Sequence, residues 1–134
     1  MTVEKRTGLA IRALRLLAKR GGTIRAKELA PELETTVHYL PQVLGEVVRS
    51  GWVESSPGPT GGYRLVGKLE DHSLLDLIEL LEGATDSQVC VLEGTPCDSA
   101  QPCSMHIAWL EARSELMQQL SVIPLSTRSK GNRP

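Results

Sequence analysis

Apolar side chains recur every three or four residues over positions 4–20, where Leu9, Ala10, Ala13, Leu14 and Leu17 share one face and Lys5, Arg12, Arg15 and Lys19 the other. That spacing predicts an amphipathic first helix, and Gly21-Gly22 stops it. Thr23 is a natural N-cap for a short second helix over about 24–33, with Ile24, Leu29 and Leu33 inward and Pro31 loosening its end. Glu34-Thr35-Thr36 reads as a turn. Thr36 or Thr35 then caps a third helix running from Val37 through Leu40, Val43, Leu44 and Val47 to Gly51. Pro41 falls in the second turn of that helix and removes a backbone donor, which predicts a mild kink. A short helix, a tight turn and a second amphipathic helix form a helix-turn-helix pattern, which many all-helical proteins also contain.

The period then changes. Trp52-Val53-Glu54-Ser55 and Tyr63-Arg64-Leu65-Val66 alternate as strands do, and Pro57 to Gly62 between them is dense in breakers. A hairpin directly after a helix-turn-helix is a wing. Its tip has no large apolar side chain to bury, which favours a contact role over packing. Ser73-Leu74-Leu75-Asp76 opens a fourth helix with a capping box, and Leu74, Leu77, Ile78 and Leu81 form its inner face before Gly83. A long helix over about 104–122 carries the stripe Met105, Trp109, Ala112, Leu116, Leu120 and Ile123. We assign that stripe to dimerisation, because a small DNA reader doubles its contacts by two-fold symmetry. The expected fold is mainly α with a small β-wing. Residues 1–68 form a winged helix-turn-helix domain, 69–124 a ligand-bearing loop and dimerisation helix, and 125–134 a disordered tail.

Charge sharpens this picture. The chain has 134 residues and a net charge of −1, yet residues 1–30 hold eight basic and two acidic side chains, while the remainder carries a net −7. A basic front suits an anionic polymer bound by one face; a solvated helix surface is the plain alternative. No apolar run approaches a membrane span and no signal segment opens the chain, so a cytoplasmic protein with reduced thiols is expected. No constellation of catalytic residues is present, and we expect no enzyme.

Three cysteines, Cys90, Cys97 and Cys103, fall in one stretch that closes on His106. Gly94, Pro96 and Pro102 keep the stretch out of regular helix. Thiolates with an imidazole suit an iron–sulfur cluster, copper(I) or zinc. The plain reading is three buried or oddly paired cysteines in a loop.

The order of features resembles the IscR/NsrR family of bacterial transcription regulators over roughly residues 1–125. The match rests on Tyr39-Leu40-Pro41-Gln42-Val43-Leu44, Gly51-Trp52-Val53, Gly58-Pro59-Thr60-Gly61-Gly62-Tyr63 and the pattern C-x6-C-x5-C-x2-H. The resemblance implies a homodimer that binds palindromic promoter DNA and carries an iron–sulfur cluster beside the dimerisation helix. It implies Cys90, Cys97 and Cys103 as ligands and His106 as the fourth, with a 2Fe–2S cluster favoured and 4Fe–4S the other assembly. Members of the NsrR branch recruit an aspartate from the partner's first helix. Gly8 stands at that position here, and Glu4 one turn earlier is the carboxylate nearest to it in sequence. The loop from Cys90 to Cys97 is one residue longer than usual. Pro57 replaces an arginine frequent in relatives, and Pro41 a base-discriminating polar residue.

Within this reading Thr35, Thr36, His38, Tyr39 and Gln42 are candidate DNA contacts on the recognition helix. Gln suits adenine, and Thr or Tyr suits phosphate. Arg25, Lys27, Arg6 and Arg12 are candidate phosphate contacts, and Gly58, Thr60, Gly61 and Gly62 form the wing tip. The rival readings are a small redox or metal-binding protein, which leaves the wing unexplained, and a cluster-free regulator using the cysteines as a thiol switch or zinc site.

Overall fold

Helix α1, Lys5–Arg20, forms where the apolar face predicts it, and it buries Leu9, Ala10, Ala13, Leu14 and Leu17. A computed structural model describes residues 5–83 and 104–126. After α1 the order is β1 (Thr23–Ile24), α2 (Ala26–Glu32), α3 (Leu40–Arg49), β2 (Val53–Ser56), β3 (Gly62–Leu65), a 3-10 turn at Leu69–Asp71, α4 (Leu74–Glu82) and α5 (His106–Ser121). The three strands form one antiparallel sheet in the order β1-β3-β2. Ser56 pairs with Gly62 and Val53 with Leu65 in the hairpin, and Ile24 pairs with Tyr63 on the other edge of β3.

Two expectations need correction here. Thr23 does not cap α2; it lies in β1, and Arg25 is the N-cap residue. The reason is tertiary, since Ile24 enters the core at 2% exposure only by lying along β3. Helix α3 begins at Leu40 rather than Val37, which places Pro41 in its first turn, where the missing N–H has no intrahelical partner to lose. The expected kink is therefore not required.

One core gathers Leu14, Leu17, Leu29, Leu40, Val43, Leu44 and Val47 with Val53 from the wing and Leu69, Leu77 and Leu81 from beyond residue 68. The core therefore crosses the boundary expected between the winged domain and the helices beyond it. It also includes Leu125, 1% exposed, which the sequence pattern assigns to the tail. Backbone bonds fix that segment. Leu74 N–H donates to the Ile123 carbonyl at 2.8 Å, and Leu125 N–H donates to the His72 carbonyl at 2.9 Å. Arg15 Nε donates to the Leu125 carbonyl at 3.1 Å. Residues 127–134 lie outside the described residues.

The α4 capping box forms as expected, with Asp76 N–H on Ser73 Oγ at 3.0 Å and Ser73 N–H on Asp76 Oδ2 at 2.9 Å. Helix α1 grips the far end of α4. Thr7, wholly buried, donates its hydroxyl to Glu82 Oε2 at 2.6 Å, and the Arg6 guanidinium donates to the Leu81 carbonyl. Helix α5 packs against α4 yet buries none of its own side chains.

Candidate nucleic-acid interface

The turn before α3 is built by local bonds. Thr35 N–H donates to the Ala30 carbonyl at 2.9 Å, and Tyr39 N–H donates to Thr36 Oγ1 at 3.2 Å. Thr36 thus caps the turn leading into the helix, ahead of the helix proper. Glu34 in this turn has φ 56°, the one positive value among described non-glycine residues. Leu40, Val43, Leu44 and Val47 anchor α3 from inside, so its other face is free. Thr36, His38 and Gln42 are exposed, whereas Thr35 is half-buried and Tyr39 packs its half-buried ring against the core.

Beside that face lies a cleft of about 360 Å³ between the start of α2, Val37 and the underside of the wing. Arg25 and Lys27 line one wall, Ser55 and Ser56 another, and Gly58, Gly61 and Gly62 the wing side. The structure thereby gathers two predicted cations and three predicted wing glycines around one depression, with Thr60 exposed nearby at the tip. Gly61, read both as approaching phosphate and as making the wing turn, lines the cleft and makes the turn. It is buried, and a Cβ there would stand 2.1 Å from the Ser56 carbonyl oxygen. Gly62, φ 151°, would place a Cβ 2.3 Å from the Ile24 carbonyl oxygen. Both are glycine because strands and turn pass too closely for a side chain.

Charge at the cleft is partly internally matched. Arg25 Nη2 and Nε meet Glu28 Oε2 at 2.7 and 3.2 Å, and the hydrogen bond from Arg25 holds the Glu28 carboxyl below its ordinary range. Burial pushes the Tyr63 phenol above its usual value. Across the wing Arg64 pairs with Glu54, and on α3 Arg49 pairs with Glu46. Sequence reasoning missed Glu28, Ser55, Ser56 and exposed Val37 as neighbours of this cleft. The i,i+3 spacing of Arg25 and Glu28 is the one signal that could have found the pair.

Of the proposed metal ligands, Cys90, Cys97 and Cys103 lie outside the described residues, as does Glu4. His106 is described. It opens α5, and its Nδ1 is buried without a hydrogen-bond partner among the described residues. A half-buried imidazole whose Nδ1 no described group bonds, three residues after a cysteine, fits a ligand. Among the described residues no three ligating side chains cluster.

Residues 3–127 match the Rrf2 family, described as iron-dependent transcriptional regulators. Protein rrf2 of Nitratidesulfovibrio vulgaris is 26% identical over 128 residues, covering 94% of this chain and 85% of its own. The HTH-type transcriptional regulator IscR of Vibrio campbellii is 28% identical over 97 residues, which is 72% of this chain and 57% of that one. Among solved structures, the oxidized form of Staphylococcus aureus CymR superposes with a TM-score of 0.72 at 26% identity, covering 94% of each chain. The wing, the helix-turn-helix and the late long helix are thus shared architecture, and this chain belongs to the Rrf2 family of transcriptional regulators.

Proposed function

We propose that this regulator is a cytoplasmic homodimer that binds palindromic promoter DNA under the control of an iron–sulfur cluster. The observation that carries the DNA reading is the exposed row Thr36, His38 and Gln42 beside the Arg25–Lys27 cleft under the wing. In this reading α3 enters the major groove, where Gln42 reads a base edge and Thr36 and His38 meet bases or phosphate. Arg25 and Lys27 fix the register on the phosphate backbone while the wing tip at Gly58 and Thr60 follows the adjacent strand.

Dimerisation is supported by what α5 leaves open. Met105, Ile107, Leu116 and Val122 are four of the five large apolar side chains exposed among the described residues, and all lie on α5 or at its ends. Met105 and Leu116, eleven positions apart, share one face of α5, and a second copy covering that face would pair two recognition helices across a two-fold axis.

The cluster would be held by Cys90, Cys97, Cys103 and His106, with 2Fe–2S favoured. When bound it supplies a redox- and iron-sensitive link between the cysteine loop and the head of α5. The chain's part is to present His106 Nδ1 on the first turn of α5 and to hold the end of α4, at Leu81 and Glu82, against α1 through Arg6 and Thr7. The likeness to an oxidized CymR favours one second reading, in which the same cysteines form a thiol switch without a cluster.

Anaerobic purification of wild type and His106→Ala, with iron and sulfide content and visible absorption, tests the assignment. The expected result is a coloured wild type and a variant that loses its cluster while remaining dimeric. A colourless wild type would favour the thiol switch. Unchanged cluster content in His106→Ala would move the fourth ligand to another group, with Glu4→Ala the next variant to examine.

A further inference from the structure

The His72 ring lies over Trp52 with centroids 3.9 Å apart and planes inclined by 17°. Each partner is fastened to a different part of the molecule. Trp52 N–H donates to the Val47 carbonyl in the last turn of α3 at 2.9 Å, and its carbonyl accepts from Val66 N–H, just beyond β3, at 2.8 Å. Trp52 therefore sits where the recognition helix ends and both wing strands begin and return. His72 precedes α4, and its carbonyl accepts Leu125 N–H at 2.9 Å. Ser73 and Pro124 form an isolated antiparallel bridge, and Ile123 at the end of α5 takes the Leu74 N–H.

We infer that His72 is a positioning residue for the wing, and that its stack on Trp52 is the joint through which the end of α5 sets the wing against the recognition helix. The backbone bonds at 72–74 and 123–125 make the α4 start and the α5 end one rigid piece. The hairpin is otherwise short, four residues a strand, and β1 on its far edge has two. Its short ladder leaves the tilt of the hairpin to be set largely by what packs at its root. A flat aromatic contact at its root adds a restraint on its tilt to those of the ladder and of buried Val53 and Tyr63. Any displacement of that rigid piece then reaches the wing through His72. This inference rests on the DNA-binding reading for its consequence, though not for its geometry.

Hydrogen exchange by mass spectrometry on full-length wild type, His72→Ala and His72→Phe tests it. In His72→Ala, amides of residues 52–56 and 62–66 should exchange faster by about 2- to 12-fold, the range an aromatic pair sets. Amides of α1 and α2 should stay unchanged. His72→Phe keeps a flat ring and should restore the wild-type pattern. Affinity for a promoter duplex should fall in His72→Ala, recover in His72→Phe, and fall no further when His72→Ala is added to Trp52→Leu. Unchanged exchange in the wing overturns the inference, as does acceleration spread over every helix or a His72→Phe protein that behaves like His72→Ala. If wild type bound no duplex, the DNA reading would fail, and the exchange comparison would still decide whether His72 positions the wing.

Discussion

Replacing Gly62 by alanine places a methyl group 2.3 Å from the Ile24 carbonyl oxygen and 2.8 Å from Arg25 Cα, where ordinary contact begins near 3.4 Å. Neither obstacle is a flexible side chain, so β1 must move from β3 by about an ångström or the new residue must abandon φ 151°. Backbone strain of this kind costs about 1–3 kcal/mol. Displacing β1 withdraws Ile24, now 2% exposed, whose full burial is worth about 1.5–3 kcal/mol. The sum, about 2.5–6 kcal/mol, is a large share of the roughly 5–15 kcal/mol typical of a domain. Gly58→Ala is the matched control. Its φ is 93°, but nothing lies within 4 Å of its added Cβ, so it meets conformational cost of about 1 kcal/mol alone. Urea unfolding at one fixed protein concentration measures both, which holds any dimer contribution constant. If Gly62→Ala costs no more than Gly58→Ala, the close passage of β1 over the wing is not what selects glycine.

Other outcomes rest on single residues. Glu34→Gly should stabilise the protein by about 0.5–1 kcal/mol, the relief of left-handed strain exceeding the added chain entropy, and a lower thermal midpoint than wild type would contradict this. Leu125→Ala should cost about 2–5 kcal/mol in urea unfolding, because the side chain is wholly in the core; a loss under about 1 kcal/mol would mark the segment as dispensable. Glu28→Gln should strengthen binding to all duplexes alike by freeing Arg25, whereas Gln42→Ala should relax preference at one base pair; salt titrations and competition with mismatched sites distinguish the two.

The helices α1 and α4 are legible in the sequence because each carries its own periodic face, whereas α5 is legible as a run of helix formers and buries no side chain of its own. Even the α4 capping box stands there as Ser73 and Asp76. The wing is legible from its alternation and its breakers. What the sequence conceals depends on distant partners. Thr23 and Ile24 have no local strand pattern and become β1 only because β3 accepts them. Helix α3 starts later than its apolar spacing suggests, since Val37 continues that spacing yet stands 45% exposed before Pro41 fixes the first turn. Leu125 looks like the start of a polar tail until Leu125 N–H meets His72 and Arg15 meets its carbonyl. The stack of His72 on Trp52 joins residues twenty positions apart and leaves no trace in spacing. The candidate DNA contacts are readable as residue types on the right elements, but the Arg25–Glu28 pairing that masks one of them is not. The three cysteines proposed as ligands rest on family likeness and lie outside the described residues.

The central claim, a sequence-reading dimer governed by its cluster, is tested most directly by selecting binding sites from random duplex DNA with anaerobically purified protein. The selection is then repeated after chelation of iron. The expected result is enrichment of a palindrome whose half-sites lie about one helical turn, or a multiple of it, apart, with affinity for it changing between the two forms. Recovery of no sequence preference by either form, or of one identical site bound equally by both, would contradict it.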